Sequence, residues 1–548
     1  MKPAYSRFTD CFLEYGNCDV RCRLIKLMGA LTSKPYAFSA RSWELKSFDS
    51  IDLNDSIGSN IRIDTRGSDI LRILPRTNDN LNEVWITDKV RFSYDGLSSQ
   101  RLNTPLYRAQ RGELFNRIGW SKLLDLAKKY LPYSESSMDF SFGNQSSFET
   151  LSGVKHFLGS FVKSPSFSES CSDLSENYLF NTPADRIEES DMFLILGTSL
   201  RFDAPSINIK IRKILRSNPL VKVFSAGSTA ALSATYPVVN LGSIDSFWGN
   251  FFKGKHKLSR FFYRSKTPCV IANLQLTGLS NSVRVLANSS SIFNAVWGKE
   301  AGWYGLNFLS LDASSNSLYD LSLDFLNDSV SRVVRKPSFA SLYNFGDDNL
   351  VFEPARYDFV IYQGHHGDFG ASNSNLVIPT LHPYESSVAS YLNVYGDFQS
   401  VNKVRTFGQS VLSDADILGY IAERLGTIKV LNPSWFKLKH FSVNEYSFRA
   451  SLGNLRTEGG GLLDSRSWLL CNPLNSLDSY PYRFGPSASR FLKGTEYLDF
   501  VLPSYFVFGR RPLNPRYFSF YVSDSSTRAS HIMALSRSRF KQSTSFYN

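Results

Sequence analysis

Met192-Phe193-Leu194-Ile195-Leu196-Gly197-Thr198 decides the fold class. An uninterrupted apolar run has no wet side. A strand made of it must be covered on both faces, as in a parallel sheet with helices packed above and below. After Pro205, the residues Ile207, Ile211, Ile214 and Leu215 recur at helical spacing, while Lys210, Arg212, Lys213 and Arg216 take the expected wet side. Val221-Lys222-Val223-Phe224 then reads as a second short strand. Strand, crossover helix and strand within so short a span predict a βαβ unit and a doubly wound α/β sheet.

Outward from this unit, Cys269-Val270-Ile271-Ala272 and Phe359-Val360-Ile361-Tyr362 read as further buried strands, and Ala415 to Leu425 as a helix. Upstream the period changes from helical to alternating. Ile61-Arg62-Ile63-Asp64 and Ile70-Leu71-Arg72-Ile73-Leu74 flank Thr65-Arg66-Gly67-Ser68, which predicts a hairpin in a small β-rich domain. The expected division is a short segment 1–40, a β-rich domain 41–100, an α/β body 101–430 and an irregular extension 431–548 marked by Gly459-Gly460-Gly461 and scattered prolines.

Composition narrows the function classes. At 548 residues the chain is several domains long, and its 42% hydrophobic and 20% charged residues are ordinary for a globular protein. No run approaches the ~20 apolar residues of a bilayer-spanning helix. Net charge is +12, but the positive residues are scattered, with one dense cluster at Arg537, Arg539 and Lys541. A nucleic-acid binder would add zinc pairs or aromatic-basic motifs. The charge is therefore read as a solvated surface, or one that faces acidic partners. The 43 Phe and 27 Tyr exceed ordinary core needs and fit an A/T-rich organellar genome. The opening Met1-Lys2-Pro3-Ala4 reads as neither signal peptide nor transit helix, so a chain working in an organelle is expected to be made there. The six cysteines make no disulfide framework, and Cys171, Cys269 and Cys471 are expected as buried thiols.

Two constellations could carry chemistry. Gly364-His365-His366-Gly367-Asp368, with His382 following, looks like a metal or acid–base cluster. Adjacent histidines on a strand would point to opposite faces, which argues for a sheet-end loop and against a metal centre. Gly197-Thr198-Ser199 stands where a strand end meets a helix start and could hold a phosphate, without a full dinucleotide fingerprint.

Four stretches carry a resemblance. They are Gly29-Ala30-Leu31-Thr32-Ser33-Lys34-Pro35-Tyr36-Ala37-Phe38 with Ser42-Trp43-Glu44, and Ser56-Ile57-Gly58-Ser59-Asn60-Ile61 leading to Trp85-Ile86-Thr87-Asp88-Lys89-Val90. The others are Tyr362-Gln363-Gly364-His365-His366-Gly367-Asp368 with Tyr391-Leu392-Asn393-Val394-Tyr395-Gly396, and Phe520-Tyr521-Val522-Ser523-Asp524 with Thr527-Arg528-Ala529-Ser530. Together they resemble the carboxyl-terminal, molybdopterin-oxidoreductase-like part of the large iron–sulfur subunit of respiratory complex I. The resemblance implies a small β-rich domain with doubly wound, Rossmann-like domains. It also implies a structural, non-catalytic place in the peripheral arm of a mitochondrial NADH:ubiquinone oxidoreductase, beside other complex I subunits.

The same resemblance shows what has changed. Catalytic relatives carry cluster cysteines where this chain has Asp52, Asp55, Ser59 and Thr87. Iron–sulfur clusters need thiolates, and these oxygens do not replace them. Solvated or turn-capping carboxylates are expected there, with a hard divalent ion as the alternative. The main body is thus expected to hold no cofactor, and an active molybdenum or tungsten oxidoreductase of the formate dehydrogenase type is the rival reading. The family's amino-terminal cluster domains would be a separate chain. An ungapped match puts Lys26 where the family has the fourth ligand of one [4Fe–4S] cluster. A match with four inserted residues puts Cys22 there, with Gly16 and Asn17 in register, so that Cys22 would complete a cluster shared in trans. Cys11 and Cys18 have no ligand counterpart. The aromatic residues Tyr505, Phe506, Phe508, Phe518, Phe520 and Tyr521 are expected to form a docking segment, and removal of residues 500–548 to leave the body folded.

Overall fold

The computed structural model describes residues 33, 35–110, 112–130, 138–161, 178–227, 236–242, 247, 251, 256–273, 303–321, 341–348, 357–387, 389–406, 411–425 and 520–545. The expectations for Cys11, Cys18, Cys22, Lys26, Cys171, Cys471, Gly459–Gly461, Tyr505, Phe506, Phe508 and Phe518 lie outside these residues.

In chain order the strands are β1 Lys46–Ile51, β2 Asn60–Arg66, β3 Asp69–Pro75, β4 Leu106–Tyr107, β5 Asn116–Arg117 and β6 Met138–Phe142. There follow β7 Met192–Leu196, β8 Lys222–Ala226, β9 Val239–Asn240, β10 Pro268–Asn273 and β11 Leu306–Leu309. The last are β12 Ser341–Phe345, β13 Phe359–Gly364, β14 Leu376–Pro379, β15 Ser390–Leu392 and β16 Phe398–Ser400.

β1, β2 and β3 form an antiparallel sheet in that order. Its hairpin turns at Gly67, whose φ of 65° lies in the left-handed region that a side chain makes costly. Ile61, Ile63 and Ile73 point into its core with Leu53 and Val90.

The decisive strand β7 lies at the centre of a five-stranded sheet of order β11-β10-β7-β8-β9, parallel to both neighbours. Its side chains alternate between two cores. Met192, Leu194 and Leu196 join Phe308 and Trp303 on one face. Phe193 and Ile195 join the helix Pro205–Ser217 on the other. That helix begins on a proline in its first turn, where the missing N–H costs nothing. Its buried Ile207, Ile211 and Ile214 each contribute roughly 1.5–3 kcal/mol of burial free energy.

One residue of its expected wet face is dry. Lys210 is 3% exposed, and its Nζ donates to the carbonyls of Asn80 at 2.5 Å and Ala184 at 3.2 Å. Helical spacing cannot see this, because the acceptors arrive from distant loops. The ammonium pins the crossover helix to the segment that follows the β-rich sheet.

A second sheet has the order β5-β4-β14-β13-β12-β6. β6, β12, β13 and β14 run parallel, so their carboxyl ends share one edge. The helix Asp414–Leu425 covers one face with Ile417, Leu418, Ile421 and Ala422 against Ile361 and Ile378. Among the described residues no helix is long and apolar enough to cross a membrane.

The end of the chain departs from expectation. Residues 520–538 are built into the body. The short helix Ser525–Arg528 opens with a capping box of Asp524 and Thr527, and Met533 on the helix His531–Ser545 is 1% exposed. Phe520 packs on Phe202 at 5.2 Å between ring centres. Asp524 pairs with Lys89 at 2.9 Å, and Arg528 with Asp368 at 2.6 Å. Phe520 and Tyr521 are therefore half-buried packing residues. A deletion reaching back to residue 500 would take Asp524 from buried Lys89 and Arg528 from Asp368.

Candidate functional site

Two places in this fold could hold a cofactor, and each is built from buried polar side chains.

The first is the loop between β1 and β2, carrying Asp52, Asp55 and Ser59. The loop is closed at its neck, where the Asp52 amide donates to the Ser59 carbonyl at 2.8 Å. The Asp52 carboxylate accepts the Asn54 amide at 2.8 Å. One Asp55 oxygen accepts the amides of Ile57 and Gly58, both at 3.2 Å. Gly58 has φ of 67°, so its conformation favours glycine. Ser56 donates to the Ser310 carbonyl at 2.5 Å, and its own carbonyl accepts from the Val394 amide at 2.9 Å, which clamps the loop to the α/β body.

Thr87 stands beside this loop in a dual role. Its hydroxyl caps the helix Asp88–Phe92 by accepting from Val90 and lies 3.4 Å from an Asp52 oxygen. The sequence thus brings Asp52, Asp55, Ser59 and Thr87 together as the resemblance implied, and the turn-capping role of the carboxylates holds. Their solvation does not. Asp52 is 1% and Asp55 6% exposed. Burial pushes the Asp52 carboxyl up to about 6, against the Asn54 amide and the nearby Lys89 ammonium. Burial raises Asp55 well above the carboxylate range, helped by the charge of Asp52. Lys89 is the partner that motif reading passed over. It is 5% exposed and donates to the Asn54 carbonyl at 3.4 Å and to Ser523. Its place inside a quoted motif, Thr87-Asp88-Lys89, was the available signal.

The second place is the carboxyl edge of the six-stranded sheet. Loops after β6, β12, β13 and β14 surround a cavity of about 40 Å³, lined by Asn144, Asp348, His365, Thr380, Asp414 and Arg528 among others. That is room for a water or two. Burial pushes Asp348 up to about 7 and Asp414 up to about 6.

His365 and His366 lie in the sheet-end loop expected of them, because β13 ends at Gly364. Their ring centres are 4.7 Å apart and nearly perpendicular, and His382 lies 4.7 Å from His365. His366 Nε2 donates to the Gly96 carbonyl at 2.9 Å. Burial and the neighbouring Arg101 guanidinium hold His366 down to about 4, and burial keeps His365 and His382 well below the usual imidazole range. Behind them Glu385, 1% exposed, is shared by Arg101 and Arg405, the latter at 3.3 Å. Among the described residues, no group of three or more His, Cys, Asp or Glu is placed to hold a metal ion.

The phosphate expectation at Gly197-Thr198-Ser199 is overturned. Asp203 already occupies that strand end, accepting from the Thr198 hydroxyl at 2.8 Å and the Ser199 amide at 2.9 Å. A carboxylate in the seat repels a phosphate.

Neither place fits the cofactor that its position suggests. A [4Fe–4S] cluster needs thiolates, and the β1–β2 loop and Thr87 offer oxygens. Cys269, the cysteine among the described residues, is buried in the five-stranded sheet, where burial pushes its thiol up to about 12. A pterin dinucleotide carries phosphates, and the sheet-edge cavity is small and bordered by Asp348, Asp414 and Asp524.

Comparison with known proteins agrees with the fold, and its match to a 4Fe-4S domain leaves the absence of a cluster untested. The molybdopterin oxidoreductase family matches residues 101–424. The family described as NADH-ubiquinone oxidoreductase NDSU1/NuoG-like, 4Fe-4S domain, matches residues 45–95, the small sheet and its loop. The NADH-ubiquinone oxidoreductase 75 kDa subunit of Reclinomonas americana is 36% identical over 424 residues, 73% of this chain and 60% of that protein. The 75 kDa subunit of Acanthamoeba castellanii is 33% identical over 94% of this chain and 70% of its own length. The mitochondrial NADH-ubiquinone oxidoreductase 78 kDa subunit of Candida albicans is 33% identical over 78% of this chain and 58% of its own length. Acetylene hydratase from Pelobacter acetylenicus aligns at a TM-score of 0.46 and 13% identity over 69% of each chain, too distant to speak to chemistry. The chain spans about 60% of the Reclinomonas relative. By these matches the chain belongs to the molybdopterin oxidoreductase family and, within it, to the NADH-ubiquinone oxidoreductase 75 kDa subunits.

Proposed function

We propose that this chain is a structural, non-catalytic subunit of the peripheral arm of NADH:ubiquinone oxidoreductase, on the matrix side of the mitochondrial inner membrane and encoded in the organelle. The observation that carries it is the β1–β2 loop. It lies within the match to a 4Fe-4S domain family, yet it presents buried oxygens at Asp52, Asp55 and Ser59, with both carboxylates holding turns, and the half-buried Thr87 beside it caps a helix. Such a loop orders protein and carries no electron. The sheet-edge cavity likewise favours the structural role over the formate dehydrogenase type.

Electrons would then run from NADH to quinone through clusters held mainly by partner chains. Chief among these is a chain that bears the relatives' amino-terminal cluster region. Cys22 would supply the fourth thiolate of one [4Fe–4S] cluster shared with that chain. The body contributes a rigid support, joined through buried contacts such as Lys89–Asp524 and Lys210 with its two carbonyls.

A Cys22→Ser exchange in the assembled complex tests the shared cluster. One [4Fe–4S] signal in the electron paramagnetic resonance spectrum is expected to fall at least severalfold while the others persist. An unchanged spectrum would leave Lys26 as the counterpart and this chain with no redox ligand.

A further inference from the structure

We infer that residues 520–538 are a clasp that closes the carboxyl edge of the six-stranded sheet and opens as a unit while the body stays folded. The side chains around the sheet-edge cavity come from two parts of the chain. Asn144, Asp348, His365, Thr380 and Asp414 belong to the sheet and its loops, whereas Ser523, Asp524, Ser525 and Arg528 come from far beyond them in sequence. One wall of the cavity is therefore supplied by the clasp.

Segments near a chain end usually fray unless they are tied down. This one buries Asp524, Ser526, Thr527 and Ser530, and its partners stand on two sides. On the β-rich side, Asp524 pairs with Lys89 at 2.9 Å. There too, Asp95 accepts from the Ser530 hydroxyl and, at 3.1 Å, from the Ile532 amide. On the sheet side, Asn144 donates to Asp524 at 3.1 Å and Gln145 to the Ser526 hydroxyl at 3.5 Å, while Arg528 pairs with Asp368 at 2.6 Å. The clasp thus fastens the short helices Asp88–Phe92 and Ser93–Ser98 to the loops after β6 and β13. Gly96 shows how closely it is seated, since a Cβ there would run into the Ser526 backbone carbonyl.

The fastening is mainly polar. Val522 and Met533 are buried, but neither joins the hydrophobic clusters that hold the sheets together. The Arg528–Asp368 pair is about a quarter exposed, at 28% and 23%, so salt reaches it. A segment with few apolar contacts opens at lower cost than a core does. When it lifts, the cavity loses a wall and opens to water.

The test is amide hydrogen exchange on the full-length chain, read by mass spectrometry. Two amides report on the sheet edge: Gly143 donates to the Phe345 carbonyl at 2.8 Å and Thr380 to the Gly364 carbonyl at 3.0 Å. Gly96→Ala pushes the clasp off without removing a charge, and Arg528→Gln frees its sheet side. Each should speed exchange about ten-fold or more in residues 520–538 and around Gly143 and Thr380 together, while β7 and β10 keep wild-type protection. Raised salt should produce the same pattern, more weakly, in the wild type. Arg424→Gln, which breaks an exposed pair with Asp125, should change none of these segments. Where Gly96→Ala unfolds the chain, Arg528→Gln decides. Faster exchange confined to residues 520–538, or no change at all, would overturn the inference, because the segment would then close nothing. Loss of protection in β7 and β10 with Arg528→Gln would also overturn it, because the segment would then belong to the core fold.

Discussion

The β1–β2 loop and the sheet-edge histidine cluster are two buried polar sites, and they are filled with opposite charge. Around the loop, Asp52, Asp55 and Asp524 face the ammonium of Lys89. Around the histidines, Arg101 and Arg405 face the carboxylate of Glu385, with three imidazoles beside them. The loop is thus overloaded with acid and the cluster with base. Each relieves its excess by protonation state: the carboxyls of the loop tend to keep a proton, and the histidines tend to lose theirs. The lesson is that one fold can bury an excess of either charge by shifting protonation. Here two unrelated solutions are used in one chain.

Removing the minority charge at the basic site should have the larger effect. Glu385→Gln leaves Arg101 and Arg405 facing each other in a buried site, and breaking a buried pair in this way costs about 3–5 kcal/mol. Denaturant titration should show the midpoint falling by that equivalent. A loss under about 1 kcal/mol, the worth of a surface pair, would mean that the network is hydrated.

Removing an acid from the acidic site should act in the other direction. With its carboxyl raised to about 6 in the native state, Asp52 contributes stability at low pH that is lost as pH rises from the unfolded value near 3.8 through about 6. Asp52→Asn should therefore stabilise the chain by about 1–2 kcal/mol at pH 7.5 and change little at pH 4. The histidines run the opposite way: their depressed values give stability that is present above the ordinary imidazole pKa and is lost as pH falls toward the value of about 4 held by His366. Between these limits the two regions pull against each other, and Asp52→Asn should leave the acid limb steeper. A destabilised Asp52→Asn at pH 7.5 would show instead that the loop needs the ionised carboxylate, as a bound hard cation would require.

Much of this was legible in the sequence, and the parts that were not share a cause. Met192–Leu196 announced a strand covered on both faces because an apolar run allows no other arrangement. Gly67 announced its hairpin because the turn needs a positive φ. The oxygen-for-sulfur exchange at Asp52, Asp55, Ser59 and Thr87 is what the family resemblance implies. Lys210, Lys89 and the residues 520–538 could not be read from spacing. Periodicity assigns a charged residue to the wet side, and only the folded chain brings it Asn80, Ala184 or Asp524. The sheet-end loop expected for His365 and His366 was legible too, and β13 does stop at Gly364.

The central claim is that the body holds no cofactor chemistry of its own. It is tested most directly by elemental analysis of the purified full-length chain, freed of partners, together with its visible and pterin-fluorescence spectra. The account predicts a colourless protein without stoichiometric iron, molybdenum or tungsten and without pterin emission, while the assembled complex shows its clusters. Stoichiometric metal on the isolated chain, with cluster absorption or a pterin spectrum, would contradict it.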